Sequence, residues 1–377
     1  MRVAVVGAGP AGSLLSYHLA RDGASVTVFD PSHPREKPCG GGVTGKALAL
    51  LPPAPAADPL PARWVDACRF ESGHGEWVDL QLDRPLAVAA RRDLDAWLLR
   101  RATEAGAVHA PQRVVEVDTQ GRVRTAGGDE HFDCVVGADG AGSLVRRTFL
   151  SPTPPSRLCM AVGWFARGTS PMLVRFTPGL SGYLWLFPRP DHVGVGICAP
   201  LAALPTRQLV ARLEAEVARA FPALVEDEGD RYAHTIPSPS TDPASILEIA
   251  GPRWALVGDA AALADPITGE GIPNALRSAV TLAETLRMDG SPLRYPERVL
   301  AAFGRELLKA AAIRARFYAP GFARRMISCA GRSRAIQRVM TELVLGELGY
   351  LALKRRLLLE GPRFLLQGGL FALRATI

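Results

Sequence analysis

Three carboxylates in this 377-residue chain, Asp30, Asp139 and Asp259, stand beside glycines or small residues at the ends of short apolar runs. An acid at the carboxyl end of a strand is where open α/β sheets hold ligands. Asp30 has the fullest context. Arg2 to Val6 is an apolar run fit for a buried strand, Gly7-Ala8-Gly9-Pro10-Ala11-Gly12 follows it, and Leu14, Leu15, Leu19 and Ala20 then recur at helical spacing. Val26 to Phe29 is a second β-branched run, and Asp30 closes it 18 positions after Gly12. Strand, glycines, helix, strand and acid in that order form the dinucleotide fingerprint. Gly7 permits the tight turn off the strand, Gly9 lets a pyrophosphate approach the backbone, and Gly12 lets helix and strand pack closely. The helix start offers free N–H groups and partial positive charge to that pyrophosphate, and Asp30 suits a ribose diol, as in FAD or NAD.

Two further groups bear on chemistry. Cys39 opens Cys39-Gly40-Gly41-Gly42-Val43, where three glycines remove side-chain bulk and let backbone lie against a planar ring. Its thiol is either a small buried hydrophobe or part of a reaction chamber. Tyr183, Trp185 and Phe187 alternate along Gly182 to Pro188 and so share one face of a strand. That face is either core packing or the wall of an apolar substrate tunnel.

The elements that carry these residues can be read in order. Ala87 to Ala90 is a strand leading into a helix with Leu94, Trp97, Leu98 and Ala102 on one stripe. Arg91 at that junction is placed to meet a cofactor phosphate or adenosine, whereas Arg92 and Arg100 read as solvated surface. Val114 to Val117 and Val123 to Thr125 read as a strand pair turned at Gln120-Gly121. Phe132 to Ala138 is a buried strand ending in Gly137-Ala138-Asp139-Gly140-Ala141-Gly142-Ser143, and Val145-Arg146-Arg147 resumes a helix. Residues 159–198 alternate apolar and polar between turns at Arg167-Gly168 and Pro178-Gly179, which predicts an antiparallel sheet. An amphipathic helix over 205–221 and a returning strand over 231–236 follow. Trp254 to Val257 is another buried strand, ending in Gly258-Asp259-Ala260-Ala261. The segment Asp265-Pro266-Ile267-Thr268-Gly269-Glu270-Gly271-Ile272 then opens a long helix to Leu286, whose N–H groups can face a second negative locus.

Composition narrows the class. With 48% hydrophobic and 21% charged residues the chain is globular, and no apolar run reaches a membrane span. Met1 leads straight into the first strand, which predicts a cytoplasmic protein without a leader. Six cysteines lie far apart with no CxxC pair, a pattern for reduced thiols and for no metal site. The net charge of +7 is uneven, because residues 287–377 alone carry 17 Lys and Arg against 6 Asp and Glu. A basic tail on a mildly acidic body predicts peripheral contact with an anionic membrane or an acidic protein, and no nucleic-acid module accompanies it. Residues 296–377 read as helical, with Leu343, Val344, Leu348, Leu351, Leu357, Leu358, Leu359, Phe364, Leu365 and Leu366 available either for a lipid-facing surface or for helix packing.

Four segments in one order, GAGPAG with Asp30, KPCGGGV, GADGAGS with Arg146, and VGDAA followed by DPITGEGI, carry a resemblance, with GYLWLFP between the last two. Together they resemble the geranylgeranyl reductase family of FAD-dependent oxidoreductases, within the fold group of hydroxybenzoate-type monooxygenases. The resemblance covers residues 1 to about 290. It implies an α/β fold: a Rossmann-like FAD-binding domain from 1–65, 86–155 and 251–290, an inserted antiparallel-sheet substrate domain from 66–85 and 156–250, and a basic helical C-terminal region over 291–377. By position, Gly7, Gly9, Gly12 and Asp30 would hold the ADP half of FAD, and Arg91 lies where the family has a flavin-contacting arginine. Asp139 and Gly140 would form the second nucleotide motif, Asp259 the ribityl–phosphate contact, and Gly269, Gly271 and Ile272 the isoalloxazine contacts. Ala11, Gly41, Gly42, Val43, Val115 and Gly258 complete the expected cofactor set, with Cys39, Tyr183 and Trp185 as the catalytic candidates.

The implied reaction is reduction of carbon–carbon double bonds in an isoprenoid chain, a geranylgeranyl lipid or a prenylquinone, by hydride from N5 of reduced flavin. An isolated alkene is not electrophilic, so a proton must accompany the hydride while Tyr183 and Trp185 shelter the developing positive charge. Cys39 and ordered water are the candidate proton sources. One complete dinucleotide fold implies that NAD(P)H docks transiently or that a small electron carrier reduces the flavin. Two alternatives stay open: an aromatic monooxygenase or halogenase, and a non-catalytic flavin- and lipid-binding protein. The lysines nearest to hand for a halogenase, Lys37 and Lys46, lie in the cofactor loop and not at a clear tunnel position.

Overall fold

The computed structural model describes residues 1–224 and 226–366, with side chains described outside 226–230 and 361–366. The apolar runs at Arg2–Val6, Ser25–Phe29, Val108–Ala110, Cys134–Gly137 and Trp254–Leu256 align in parallel, and Ala250–Gly251 adds an antiparallel edge. Arg2–Val6 sits near the middle, in register with Val26 to Phe29 on one side and Cys134 to Gly137 on the other. Val3, Ala4 and Val5 are fully buried because helices cover both faces, which is why this run is continuously apolar and not alternating. The helix Pro10–Arg21 returns over the sheet on Leu14, Leu15 and Leu19. Its start crosses the strand ends so closely that a Cβ on Gly7, where φ is +102°, would lie 2.4 Å from the Ala138 carbonyl oxygen.

The second sheet has eight strands, in the order Glu226–Pro237, Leu158–Ala166, Val193–Pro200, Tyr183–Pro188, Leu173–Phe176, Arg63–Glu71, Trp77–Val88 and Gly42–Val43. It is antiparallel except where Leu173–Phe176 meets Arg63–Glu71. The strands Arg63–Glu71 and Trp77–Val88 run past the 66–85 segment at both ends, and the glycine run contributes Gly42–Val43 as an edge against Ala87 and Val88. Side-chain alternation divides the faces of this sheet. Leu184 and Leu186 join Val195 and Ile197 under the helix Thr206–Ala220, where Leu209, Leu213 and Val217 each contribute about 1.5–3 kcal/mol of burial. Tyr183, Trp185 and Phe187 point the other way, into open space.

A three-stranded sheet of Glu116–Val117, Arg122–Thr125 and Gly128–His131 extends the expected hairpin by one strand. Gly128–His131 is exposed and carries no apolar alternation, so ladder hydrogen bonds and the Arg122–Asp129 pair define it. Of the C-terminal helices, Tyr295–Val299 packs into the core of the first sheet, where the Tyr295 hydroxyl donates to the Leu256 carbonyl. Phe322–Arg332 and Arg334–Val344, joined by the ends of Arg305–Phe317 and Tyr350–Leu366, instead fold back over the second sheet. Ile327, Ile336 and Met340 bury against Val78, Leu80 and Phe176. No described helix is long and apolar enough to cross a membrane.

Candidate functional site

Between the carboxyl ends of the parallel strands, the open face of the second sheet and the C-terminal helices lies a cavity of about 860 Å³. One part is polar and glycine-lined. Gly7, Gly9 and Ala11 bring the first helix to its wall, Asp30 and Val115 flank it, and Asp139 and Gly140 enter from the fourth parallel run. Cys39, Gly41, Gly42, Arg91, Gly258, Asp259, Gly269, Gly271 and Ile272 also line it. Gly12 and Val43 are the two members of the expected cofactor set outside the wall. Gly12 packs the helix against Gly7, as its spacing implied, whereas strand alternation turns Val43 into the core, where it is fully buried.

The first helix begins at Pro10 with Gly9 as its cap and no side chain bonded to its free N–H groups. An uncapped helix start opening on a cavity fits a pyrophosphate. Asp30 stands beside it, accepting from the Ala8 amide at 2.9 Å and from Ser32. Burial works against its charge, but the Ser32 and Ala8 hydrogen bonds hold its pKa below the usual carboxylate value. The helix Ile272–Asp289 likewise starts at Gly271 with no side-chain cap, giving the cavity a second set of donors. Two uncapped helix starts and a ribose-type acid on one continuous wall fit the extended, doubly anionic shape of FAD.

Three candidates have other duties as well. Asp139 caps the helix Leu144–Phe149 through Oδ2, 2.6 Å from the Leu144 amide, and burial raises its pKa while Oδ1 is left without a partner. Arg91 is buried in a bidentate pair with Asp95 at 2.7 and 2.6 Å. Lys37 bridges to Asp259 at 3.4 Å, and Lys46 is exposed and donates to the Glu347 carbonyl, so neither lysine projects free into the cavity.

The apolar part of the cavity is where sequence reasoning fell short. Phe70 and Phe176 come from the second sheet, and Phe317, Met326, Met340 and Leu343 come from the C-terminal helices. Leu343 and Val344, read as candidates for a lipid-facing surface, line this interior, while Leu351, Leu358 and Leu359 are exposed. The side chains of Phe364, Leu365 and Leu366 lie outside the described residues. Glu36 and Arg189 were also missed. Arg189, fully buried, donates to Glu36 at 2.9 Å and to the Cys39 carbonyl, and Glu36 accepts from the Arg91 amide at 3.0 Å. No local motif announces this clamp, because Arg189 is 153 residues from Glu36 and 150 from Cys39, and Arg91 is 55 from Glu36. Tyr183 donates to the Thr268 carbonyl, and burial lifts its pKa well above the ordinary phenol value, so it is neutral at working pH. Burial, then Lys37, pushes His234 down to about 4, which leaves a neutral imidazole on the wall.

A Rossmann-type sheet feeding a cavity roofed by an antiparallel sheet defines the class of FAD-dependent oxidoreductases. Residues 5–40 match the model of an NAD(P)-binding Rossmann-like domain. The chain is 32% identical to the menaquinone reductase of Mycolicibacterium smegmatis over 319 residues, 76% of each chain. It is 28% identical to the chloroplastic geranylgeranyl diphosphate reductase of Nicotiana tabacum, over 78% of this chain and 67% of that one. In fold it is similar to a geranylgeranyl bacteriochlorophyll reductase-like protein of Thermoplasma acidophilum, with a TM-score of 0.78 at 20% identity, covering 94% of this chain and 98% of that one. The chain belongs to the geranylgeranyl reductase family of FAD-dependent oxidoreductases.

Proposed function

We propose that this protein saturates carbon–carbon double bonds in an isoprenoid chain, carried by a geranylgeranyl lipid or a prenylquinone. The observation that supports the reading best is the cavity itself, which joins a glycine-lined dinucleotide cradle to a wall of Phe70, Phe176, Phe317, Met326 and Met340. An apolar chain lying on that wall brings a double bond to the cradle and loses its water there. Bound and reduced, FAD would supply the hydride. The start of Pro10–Arg21 and Asp30 would hold its ADP half, and the start of Ile272–Asp289 its ring system. Tyr183 and Trp185 present their rings to the chamber, with Tyr183 anchored on Thr268, and would shelter positive charge that develops on the alkene. Cys39 borders the same chamber, its backbone carbonyl held by Arg189. NAD(P)H or a small electron carrier serves as the reductant in this reading.

The test is anaerobic photoreduction of the FAD-loaded protein, followed by a geranylgeranyl lipid or by air. Reoxidation by the lipid, with a chain heavier by two hydrogens per turnover, is the expected result. Reoxidation by oxygen alone, through a hydroperoxide spectrum, would instead support the monooxygenase or halogenase reading.

The substrate's lipid nature also suggests where the protein works. On the helix Tyr350–Leu366, Leu351 and Leu358 are 54% and 57% exposed and stand beside exposed Lys354 and Arg355. Such a face suits peripheral contact with an anionic bilayer. A basic residue near a charged membrane is worth about 1 kcal/mol, so the Lys354→Gln/Arg355→Gln pair should weaken binding to phosphatidylserine vesicles by roughly 30-fold. Unchanged cosedimentation of that variant would exclude this face.

A further inference from the structure

We infer that Arg189, held by Glu36, is a positioning residue for the reaction chamber: it fixes the loop 39–42 at the wall fitted for the flavin, an assignment that rests on the reductive reading above. Arg189 directly follows the aromatic strand Tyr183–Pro188 and is fully buried. Its Nη2 donates to the Cys39 carbonyl, and its Nη1 donates to Glu36 at 2.9 Å and to the His192 Nε2 at 3.1 Å. His192 is the acceptor there because a guanidinium has only N–H groups to offer. The guanidinium carbon lies 4.8 Å from the centroid of the Phe165 ring. Two residues earlier, Phe187 touches the same loop, since its ring fills the space where Gly40 has no side chain, 2.7 Å from a Cβ there. One strand end thus carries Tyr183 and Trp185 on the substrate wall and two grips on the cofactor-side loop.

The Arg189 contact decides how the peptide between Cys39 and Gly40 lies. That peptide is trans, and a trans peptide points its C=O and N–H in opposite directions. A carbonyl turned to Arg189 leaves the Gly40 N–H turned away from it, on a residue that lines the cavity while Arg189 does not. Among the described residues the Cys39 carbonyl accepts from Arg189 alone, and the Gly40 amide has no acceptor. The Cys39 Sγ accepts from the Gly41 amide at 3.3 Å, so the thiol and the backbone are oriented together. The far end of the loop is tied by the Ala89 amide, which donates to the Gly41 carbonyl at 2.9 Å.

The clamp is poorly suited to a purely stabilising role. The Arg189 Nε is buried without a partner, and a buried cation with an unmade hydrogen bond is no more stabilising than an apolar side chain of similar volume. Glu36 does not depend on the arginine. It accepts from the amides of Lys37 at 3.2 Å, Arg91 at 3.0 Å and Arg92 at 3.3 Å, and 22% of its side chain is exposed. Those bonds seat Glu36 on the start of the helix Arg91–Glu104, whose own cap residue, Ala90, makes no side-chain bond. Removing Arg189 therefore leaves Glu36 bonded and the helix capped, and what it releases is the loop. A second arginine on this sheet supplies the contrast. Arg175 pairs with Glu71 at 2.6 Å and Glu216 at 3.4 Å and lies 4.9 Å over the Phe221 ring, yet none of these four residues lines the cavity.

The loop can be followed through its own thiol. In the FAD-loaded protein, iodoacetamide should alkylate Cys39 at least about tenfold faster in Arg189→Met than in wild type, the size expected when a charge-assisted hydrogen bond no longer holds the loop closed. Cys329, on the helix Phe322–Arg332, should react at the wild-type rate in the same sample. Arg175→Met, the matched loss of a paired arginine, should leave both thiols at their wild-type rates. Arg189→Lys keeps the charge and a donor and should fall between Arg189→Met and wild type. Glu36→Gln keeps an oxygen for the Arg91 amide and should move Cys39 in the same direction, which covers the case in which Arg189→Met does not fold. In single turnovers of photoreduced enzyme with a geranylgeranyl lipid, Arg189→Met should be slower by about 10- to 100-fold with lipid affinity within about threefold, as for a reacting group misplaced by about 1 Å. Cys39 alkylation within about threefold of wild type in both Arg189→Met and Glu36→Gln overturns the inference, as does an equal rise in Arg175→Met. If geranylgeranyl lipid fails to reoxidise the wild-type enzyme, the reductive reading falls and takes the effect on turnover with it, while Cys39 alkylation still reports whether Arg189 holds the loop.

Discussion

Gly12→Val should yield a protein without bound flavin and with a markedly lower melting temperature. A Cβ at this position would lie 1.9 Å from the Gly7 carbonyl oxygen and 3.0 Å from the Ala138 Cβ. The nearer obstacle is backbone, and it belongs to a turn tied to the second strand by the Gly7 amide, 2.9 Å from the Phe29 carbonyl. Relief requires the helix to lift from the sheet, which separates its N–H groups from the cradle and unpacks Leu14 and Leu15. Overpacking costs about 1–3 kcal/mol where side chains can give way, and a backbone obstacle puts this variant at or above the upper end. Gly331→Ala is the control, since that glycine lies inside the helix Phe322–Arg332 with nothing within 4 Å of its Cβ position. There the change should be neutral or stabilising by up to about 1 kcal/mol. Absorbance at 450 nm with thermal melting reads both variants. Stoichiometric flavin and an unchanged melting point in Gly12→Val would disprove the close crossing.

Arg91→Met should destabilise the fold by about 3–5 kcal/mol. The guanidinium and the Asp95 carboxylate are 6% and 0% exposed, so removing the cation leaves a fully buried acid with, among the described residues, Arg35 at 3.5 Å as its remaining ion-pair partner. The double variant Arg91→Met/Asp95→Leu removes both charges and should recover most of the loss, since a buried pair is seldom worth more than an apolar pair of similar volume. Flavin affinity separates the two duties of Arg91. The guanidinium lines the cavity, and its Nη2 is 3.8 Å from where a Gly9 Cβ would lie, at the wall fitted for the pyrophosphate. A hydrogen bond to a charged group contributes about 1.5–3 kcal/mol, so the double variant should melt near wild type yet bind FAD at least about tenfold more weakly. Recovery of both properties would confine Arg91 to holding the helix Arg91–Glu104 in place.

The correspondence between sequence and structure follows the range of each interaction. The fingerprint was legible because its strand, turn, helix and acid fall within 30 consecutive residues, and their geometry is local. The aromatic face was legible for the same reason: alternation along Tyr183–Pro188 fixes which side chains point together. Alternation could not say what they point at, and it left core packing and a tunnel wall equally open. Val43 shows the limit of motif transfer, since a single step along the strand takes it from the cavity to the core.

The rest belongs to the tertiary structure. Leu343 and Val344 carry the apolar character that both a bilayer face and an interior wall require, and only the return of the C-terminal helices onto Val78, Leu80 and Phe176 decides between them. The Arg189–Glu36–Cys39 clamp joins residues about 150 apart, and Tyr350 reaches Asp265 across 85. By itself the sequence determined the class of cofactor fold, the order of the strands' glycines and acids, and the apolar side of each element, because these depend on backbone period and nearest neighbours. The chamber's shape, the lining of its apolar part and the pairing of Arg189 with Glu36 and of Lys37 with Asp259 were decided by the tertiary structure, because burial and partners are properties of surroundings assembled from distant parts of the chain.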